Sequence, residues 1–360
     1  MEIMSTNEST INRLMEDFTQ TTKSSDEILN MVMREEKEFT PYEVLYLFQH
    51  LLGMKVRYKP HEKVAFILFM QYKEIEIAFV LNKFSFEFHQ SETDDHNEVY
   101  TEIKTKIRQA IIQSQSEFIA DAEVSITARN VILPNYYIRF ERAFECLEYQ
   151  IENNLNDRSD WPHNDHRADC FINSYALHIV SYMEHVLTLL YPFSDSYNSR
   201  IDIKSFVFQC IYDKIDSLLM SLMSGDVEIK NKIAQLIKYV RNPIAHGYLT
   251  RAYFGDVLIP DIGFIPMSYS NYTLSSQNYP FFPVNLEHQY SEMREIKDSF
   301  DDLVVKLYPN ATTIIKSGLS IKCDPESRQE YVLVIRDSET TNDFISREQY
   351  KVDNMMNMDW

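Results

Sequence analysis

Arg241-Asn242-Pro243-Ile244-Ala245-His246-Gly247-Tyr248, RNPIAHGY in one-letter code, is the stretch on which the reading of this chain turns. An arginine and a histidine stand five residues apart around a proline. The guanidinium is a permanent cation suited to phosphate. The imidazole can move a proton near neutral pH. Pro243 has no N–H to donate and disfavours helical geometry at the residue before it. The spacing therefore predicts that a helix over 227–241 ends about Arg241. Asn242 and Pro243 then read as the N-cap and first position of a new helix. On this reading Arg241 hangs from the end of one helix and His246 lies in the first turns of the next. A helix N-terminus favours anions and keeps a nearby imidazole neutral, as a general base must be.

Upstream of the motif, Ile229, Ile233, Leu236, Ile237 and Val240 repeat at helical spacing, with Asp226 as N-cap. Further helices are expected over 136–156, 167–191 and 203–223, and a last core helix over 285–307. Ala176, Ile179, Val180, Met183, Val186, Leu187 and Leu190 form one apolar face, and Pro192 ends that helix. Residues 250–285, rich in Pro, Tyr, Asn and Ser, read as a long irregular excursion. Two short strands are expected near Thr312–Cys323 and Tyr331–Arg336, then a loose or docking tail that closes on NMMNMDW.

The N-terminal part has a different rhythm. Helices are expected near Thr10–Phe18, Asp26–Glu38 and Tyr42–Leu52, with Pro41 as an interruption and Gly53 as a stop. From Lys63 to His89 the apolar residues alternate: Val64, Phe66, Leu68, Met70; Ile75, Ile77, Phe79, Leu81; Phe84, Phe86, Phe88. That is a three-stranded meander turning near Tyr72-Lys73 and Asn82-Lys83. Val99, Ile103, Ile107, Ile111 and Phe118 mark a helix, and Ala122–Leu133 reads as one more strand. The fold class is therefore α+β. A small α+β domain with an antiparallel meander (1–135) precedes a helical bundle (136–310) with an irregular insertion (250–285). A C-terminal β-hairpin and tail (311–360) follow.

The chain carries 35 Lys and Arg against 54 Asp and Glu, a net charge of −19. A protein that coats nucleic acid non-specifically is basic overall, so that class is excluded. A local basic site is not. From Lys230 to Arg251 there are five basic residues (Lys230, Lys232, Lys238, Arg241, Arg251) and no acidic one. On a regular helix Lys230 and Arg241 point within about 20° of each other. The four cysteines, Cys146, Cys170, Cys210 and Cys323, are far apart, which suggests free thiols in a reducing compartment. The longest apolar run, Ala65–Met70, is too short to span a bilayer, and the first residues are unlike a signal peptide. A cytoplasmic protein without a membrane partner is expected. Six glycines form no dinucleotide or phosphate loop, and neither G-x-S-x-G nor H-E-x-x-H occurs.

RNPIAHGY resembles the R-x4-6-H motif of the HEPN superfamily, in which Asn often follows the Arg. Tyr182-Met183-Glu184-His185-Val186-Leu187-Thr188-Leu189-Leu190 is similar to a pattern of that family's first helix. The resemblance covers about 160–310 and implies a bundle of four or five helices. Many HEPN proteins are metal-independent RNases in which two motifs meet across a dimer axis, often in toxin or antiviral defence systems. Carried over, His246 activates an RNA 2′-hydroxyl, Arg241 stabilises the charged phosphate, and Asn242 orients the pair or hydrogen-bonds the phosphate. Lys230, Lys238 and Arg251 become RNA-binding residues, and Glu184 a holder for Arg241. RNA, a second copy, and an antitoxin or trigger protein become the expected partners, with no cofactor and no metal. Tyr248 completes R-x4-H-x-Y, a form found in HEPN toxins that a partner nucleotidyltransferase adenylylates on this tyrosine. The family also contains non-catalytic scaffolds that bind RNA or protein.

Plainer readings stand beside these. Arg241 and His246 could be a helix-end ion pair and a cap, and Tyr248 one aromatic among 23 tyrosines. His163, His166 and Cys170 start a zinc-like spacing that no second ligand pair completes. His178 and His185, seven residues apart on one helix face, read as satisfied core or rim histidines. The phenylalanines at 84–88 read as core rather than as a base-stacking platform.

Overall fold

The computed structural model describes residues 9–21, 31–58, 64–82, 85–92, 95–157, 163–197, 203–219, 228–245, 253–268 and 286–356. His246, Tyr248 and Arg251, together with Asp226 and Phe84, lie outside the described residues. The chain forms two compact units, one from Met1–Ser125 with Gln349–Trp360, the other from Ile126–Glu348.

The first unit is built on an antiparallel sheet. β1 (Phe18–Gln20), β2 (Val32–Glu35), β4 (Val64–Tyr72), β5 (Ile75–Asn82) and β6 (Phe86–Gln90) lie in the order β1-β4-β5-β6-β2, and β3 (Arg57–Tyr58) also pairs with β4. The expected meander is β4-β5-β6. Its first turn sits at Lys73, whose φ of 53° lies in the left-handed region. Alternation decides the core. Phe66, Leu68, Met70 and Tyr72 of β4, Ile77 and Phe79 of β5, and Phe86 and Phe88 of β6 are all buried on one face. They pack with Ile103, Ile107 and Ala110 of α3 (His96–Gln113). Val44 of α2 (Pro41–Leu45) and Leu47 and Phe48 of the π-helical turn after it (Tyr46–Leu51) fill the same core. Pro41 begins α2 instead of interrupting it, because Thr40 and Glu43 form a reciprocal capping box.

Three expectations in this unit are corrected. Among the described residues the first helix ends at residue 14, and Phe18 already belongs to β1. Val32–Glu35, expected within a helix, is an edge strand paired with β6. Met and Glu favour helix locally, but the open edge of β6 offers four residues of ladder pairing instead. Residues 122–127, expected in a strand, complete α4 (Gln115–Thr127). Its alanines and glutamates carry the helix on, and only Ile132–Leu133 (β7) is extended.

The second unit is a helical bundle with one continuous core. α5 (Tyr137–Asn156) and α6 (His163–Leu190) form an antiparallel pair. α6 is buried along most of its circumference, including Tyr175, Ile179, Tyr182, Met183, Leu187 and Leu190, so it is the central helix. It ends at Leu190 in a single 3-10 turn that contains Pro192. α11 (Leu286–Leu307) lies against it and contributes Met293, Ile296, Phe300 and Val304. The helix expected over 203–223 is two, α7 (Ile203–Val207) and α8 (Ile211–Leu218), because Cys210 is extended (φ −67°, ψ 157°).

The excursion at 250–285 holds an antiparallel hairpin, β8 (Tyr253–Ile259) with β9 (Gly263–Ser268). Asp261 and Gly263 take positive φ in its turn. The expected C-terminal β-hairpin is not formed. In its place stand α12 (Pro309–Lys316), α13 (Pro325–Val334) and α14 (Ser338–Met356), and among the described residues of this segment the only strand is β10 (Ile321–Lys322), paired with β7. Thr312, Thr313, Ile314 and Ile315 have strand propensity, yet Ala311, Ile314 and Ile315 bury one helical stripe. Prolines at helix starts, with Asp324 capping α13 through the Ser327 N–H, fix the boundaries. Among the described residues, no helix is long and apolar enough to cross a membrane.

Candidate functional site

The opening motif sits at the end of α9 (Glu228–Gln235), which runs without a break through a π-helical turn (Leu236–Arg241) into α10 (Asn242–Ala245). The expected junction is therefore corrected. Asn242 is not an N-cap; it is helical (φ −68°, ψ −42°), and its N–H donates to Ile237 O, five residues back. In an ordinary α-helix the Pro243 ring would meet the carbonyl four residues earlier. The chain meets Pro243 just after a π turn, where the regular ladder of bonds to the fourth residue back is already interrupted, and the helix continues through it.

This geometry sets the two side chains of the motif that are described. Leu236, Ile237 and Val240 point into the core, and Ile244 packs against it. Arg241 and Asn242 are left partly buried on the other side, with Lys238 exposed. Arg241 Nη1 donates to Asn242 Oδ1 at 3.1 Å. The amide thus fixes one edge of the guanidinium. His246 follows Ala245 directly in the chain, outside the described residues.

Two of the five basic residues are met by carboxylates in space. Lys230 Nζ lies 2.5 and 2.7 Å from the two carboxylate oxygens of Asp216 on α8. Lys232 Nζ lies 3.2 Å from Glu228 and 3.2 Å from Glu295 on α11. These bonds hold the Lys232 ammonium above its ordinary pKa. The window that lacks acid in sequence is met by carboxylates from before it and from other helices.

Glu184 does not reach for the motif in the contacts described. It stands 3.9 Å from Lys214 Nζ. Lys214 is 2% exposed, donates to Val207 O at 2.9 Å and to Thr188 Oγ1 at 3.2 Å, and is held below its usual pKa by burial. Lys214 is a buried polar centre that the sequence reading missed. The signal was there: Ile211, Lys214, Ile215 and Leu218 share the buried stripe of α8. Lys214→Met keeps the stem and removes the charge, so it is expected to change stability by less than about 1 kcal/mol. Lys214→Ala opens a cavity and is expected to cost about 2–4 kcal/mol. Chemical denaturation of the two variants checks the difference.

The two helix-face histidines are structural. His178 Nδ1 bonds Ser174 O at 2.9 Å. His185 Nε2 accepts the Tyr136 N–H at 2.9 Å at the start of α5, and its ring stacks on Tyr136. Burial pushes His185 down to about 4 from 6.5. The unfolded chain takes up this proton near pH 6.5 and the folded one only near pH 4. Stability from this group is therefore complete above pH 6.5 and is lost as pH falls towards 4. Allowing for partial exposure, the loss is about 2 kcal/mol. Urea unfolding at pH 7 and pH 4.5 is expected to show a smaller acid loss in His185→Gln by that amount.

Among the described residues, no three His, Cys, Asp or Glu side chains gather as metal ligands. Compared with family models, with curated proteins and with solved structures, this chain matches none.

Proposed function

We propose that this chain is a HEPN-type, metal-independent endoribonuclease of a toxin or antiviral defence system, acting in the cytoplasm as a homodimer. The observation that carries the reading is the Arg241–Asn242 hydrogen bond at the end of a π-helical turn, with His246 four residues beyond Asn242 in the chain. Such turns within helices are frequent at functional sites. His246 takes the proton of an RNA 2′-hydroxyl, and the oxygen attacks the adjacent phosphorus. The bond to the 5′-oxygen breaks, and that oxygen gains a proton from the second copy's His246. The products are a 2′,3′-cyclic phosphate and a 5′-hydroxyl. Arg241 neutralises the charge that builds on the phosphate oxygens.

The test is RNA incubated with the full-length protein in EDTA. Cleavage that persists in EDTA and disappears in His246→Ala supports the reading; cleavage that needs a metal overturns it. The ion pairs of Lys230 and Lys232 favour a second reading, a HEPN scaffold that binds RNA or protein without cutting it. That reading expects dimerisation and RNA binding to be unchanged in His246→Ala. Control by an antitoxin that adenylylates Tyr248 is a further expectation of the first reading. Intact mass of protein purified from its own host, with and without Tyr248→Phe, reads it out.

A further inference from the structure

We propose that the groove between α2 with its π turn and the α3–α4 junction, in the first unit, docks a cationic amphipathic helix of a partner protein. The groove encloses about 460 Å³ and is lined by Tyr42, Tyr46, Ile111, Phe118 and Ile119 together with small polar groups. Tyr42 is 77% exposed, Phe118 54% and Ile119 60%. α4, one of its walls, has thirteen residues and buries none of them. Of its four isoleucine, valine or phenylalanine side chains, Ile126 packs against the bundle core, whereas Phe118, Ile119 and Val124 are exposed and lack the packing that normally stabilises an amphipathic helix.

The floor of the groove is already held in place. Tyr46 OH donates to Asp121 Oδ2 at 2.7 Å, and His50 Nε2 lies 3.0 Å from the same oxygen. The Tyr46 ring stacks on His50 and meets Phe118 edge-on at 5.1 Å. An aromatic anchor fixed before binding loses little entropy on binding. A mainly apolar groove accepts the apolar stripe of a helix, read at i, i+3, i+4 and i+7.

Charge selects the occupant. α4 carries Glu117, Asp121 and Glu123 and has no Lys or Arg. Glu43 adds a carboxylate on the facing wall. Arg108, on α3 nearby, is in an ion pair with Glu38. A carboxylate rim attracts a cationic helix and repels an RNA backbone. It also disfavours a second copy of this chain, whose net charge is −19. The chain's own last residues, with Asp353 and Asp359 against Lys351, bring no net positive charge. This inference does not rest on the RNA-cleavage reading, and either can fail while the other stands.

The test is fluorescence anisotropy of the full-length protein with a labelled Leu/Lys helical peptide. Two controls accompany it: a scrambled peptide of the same composition and a Leu/Glu peptide with the same apolar stripe. The amphipathic cationic peptide is expected to bind at least about tenfold more tightly than either control. Ile119→Lys and Tyr42→Ala, both at exposed positions that leave the fold intact, are expected to weaken it about tenfold or more. Equal binding of the scrambled peptide, or binding unchanged by both substitutions, shows mere attraction to an acidic body and overturns the proposal. Tighter binding of a peptide of residues 349–360 overturns it in favour of the chain's own end. Sedimentation that shows a dimer lost in Ile119→Lys overturns it in favour of a second copy.

Discussion

Arg241→Ala is expected to lower the single-turnover rate of RNA cleavage by about 100- to 1000-fold, with RNA binding reduced far less. The reason lies in timing. The phosphate carries a single negative charge in the ground state, and more charge gathers on its oxygens as the 2′-oxygen attacks. A cation placed for that moment acts on the rate rather than on affinity. Arg241→Lys is expected to recover little of the loss. The planar guanidinium bonds Asn242 Oδ1 through Nη1, at 3.1 Å, and carries further donors for a phosphate. An ammonium has no such division of labour. Asn242→Ala leaves the cation in place but unsteered, so a smaller loss, about tenfold, is expected. Rapid-quench kinetics on a short RNA, with binding measured separately, distinguishes the three variants. Equal rates for wild type and Arg241→Ala would remove Arg241 from the chemistry.

Pro243→Ala is expected to raise stability by about 1–3 kcal/mol and to lower cleavage by about tenfold or more. Proline in a helix interior is the least favourable residue for helix formation, and alanine the most favourable. Here the proline is accommodated by the π turn over Leu236–Arg241. Without it the N–H of residue 243 is restored, and the helix can settle into regular α geometry. Regularising a π turn shifts the register of everything after it by about one residue, a rotation of about 100°. Asn242 and His246 then turn relative to Leu236 and Val240, which stay anchored in the core. Thermal unfolding and the same cleavage assay should move in opposite directions. A variant that is more stable and fully active would show that the π turn has no part in the chemistry.

Much of the fold was legible in the sequence because burial leaves a period behind it. The alternation of Phe66, Leu68 and Met70, then Ile77 and Phe79, marked three strands of the sheet, and the structure buries those residues on one face. The 3.6-residue stripes of α6 and α9 marked the bundle. The misreadings share a cause. Val32–Glu35 and Thr312–Ile315 have local propensities opposed to what they form, and in both the tertiary partner prevailed. An edge of β6 waited for one, and the bundle core for the other. Propensity differences are a few tenths of a kcal/mol per residue, less than a buried isoleucine contributes.

The candidate site was legible in part. RNPIAHGY places Arg241 and Asn242 side by side, and in the structure the guanidinium donates to the amide oxygen; their task in cleavage belongs to the proposal. The helix break drawn at Pro243 was not found, because a proline is only incompatible with α geometry and the chain had a π turn available. The charge reading fared differently. Lys230 and Lys232 are basic in a window without acids, but Asp216 and Glu295 come to them from other helices. A run along the sequence cannot register charges that arrive from another helix.

By itself, the sequence determined which residues turn inward, and with them the class of each half of the chain, because side-chain hydrophobicity is a local property with a period. It also set the order Arg, Asn, Pro, His, which is covalent. The tertiary structure decided what each polar group meets: Lys214 sealed beside Glu184 and Thr188, His185 kept neutral against the Tyr136 N–H, and the π turn under Arg241. Those outcomes depend on desolvation and on partners brought from far along the chain. Both exist only once the helices have packed.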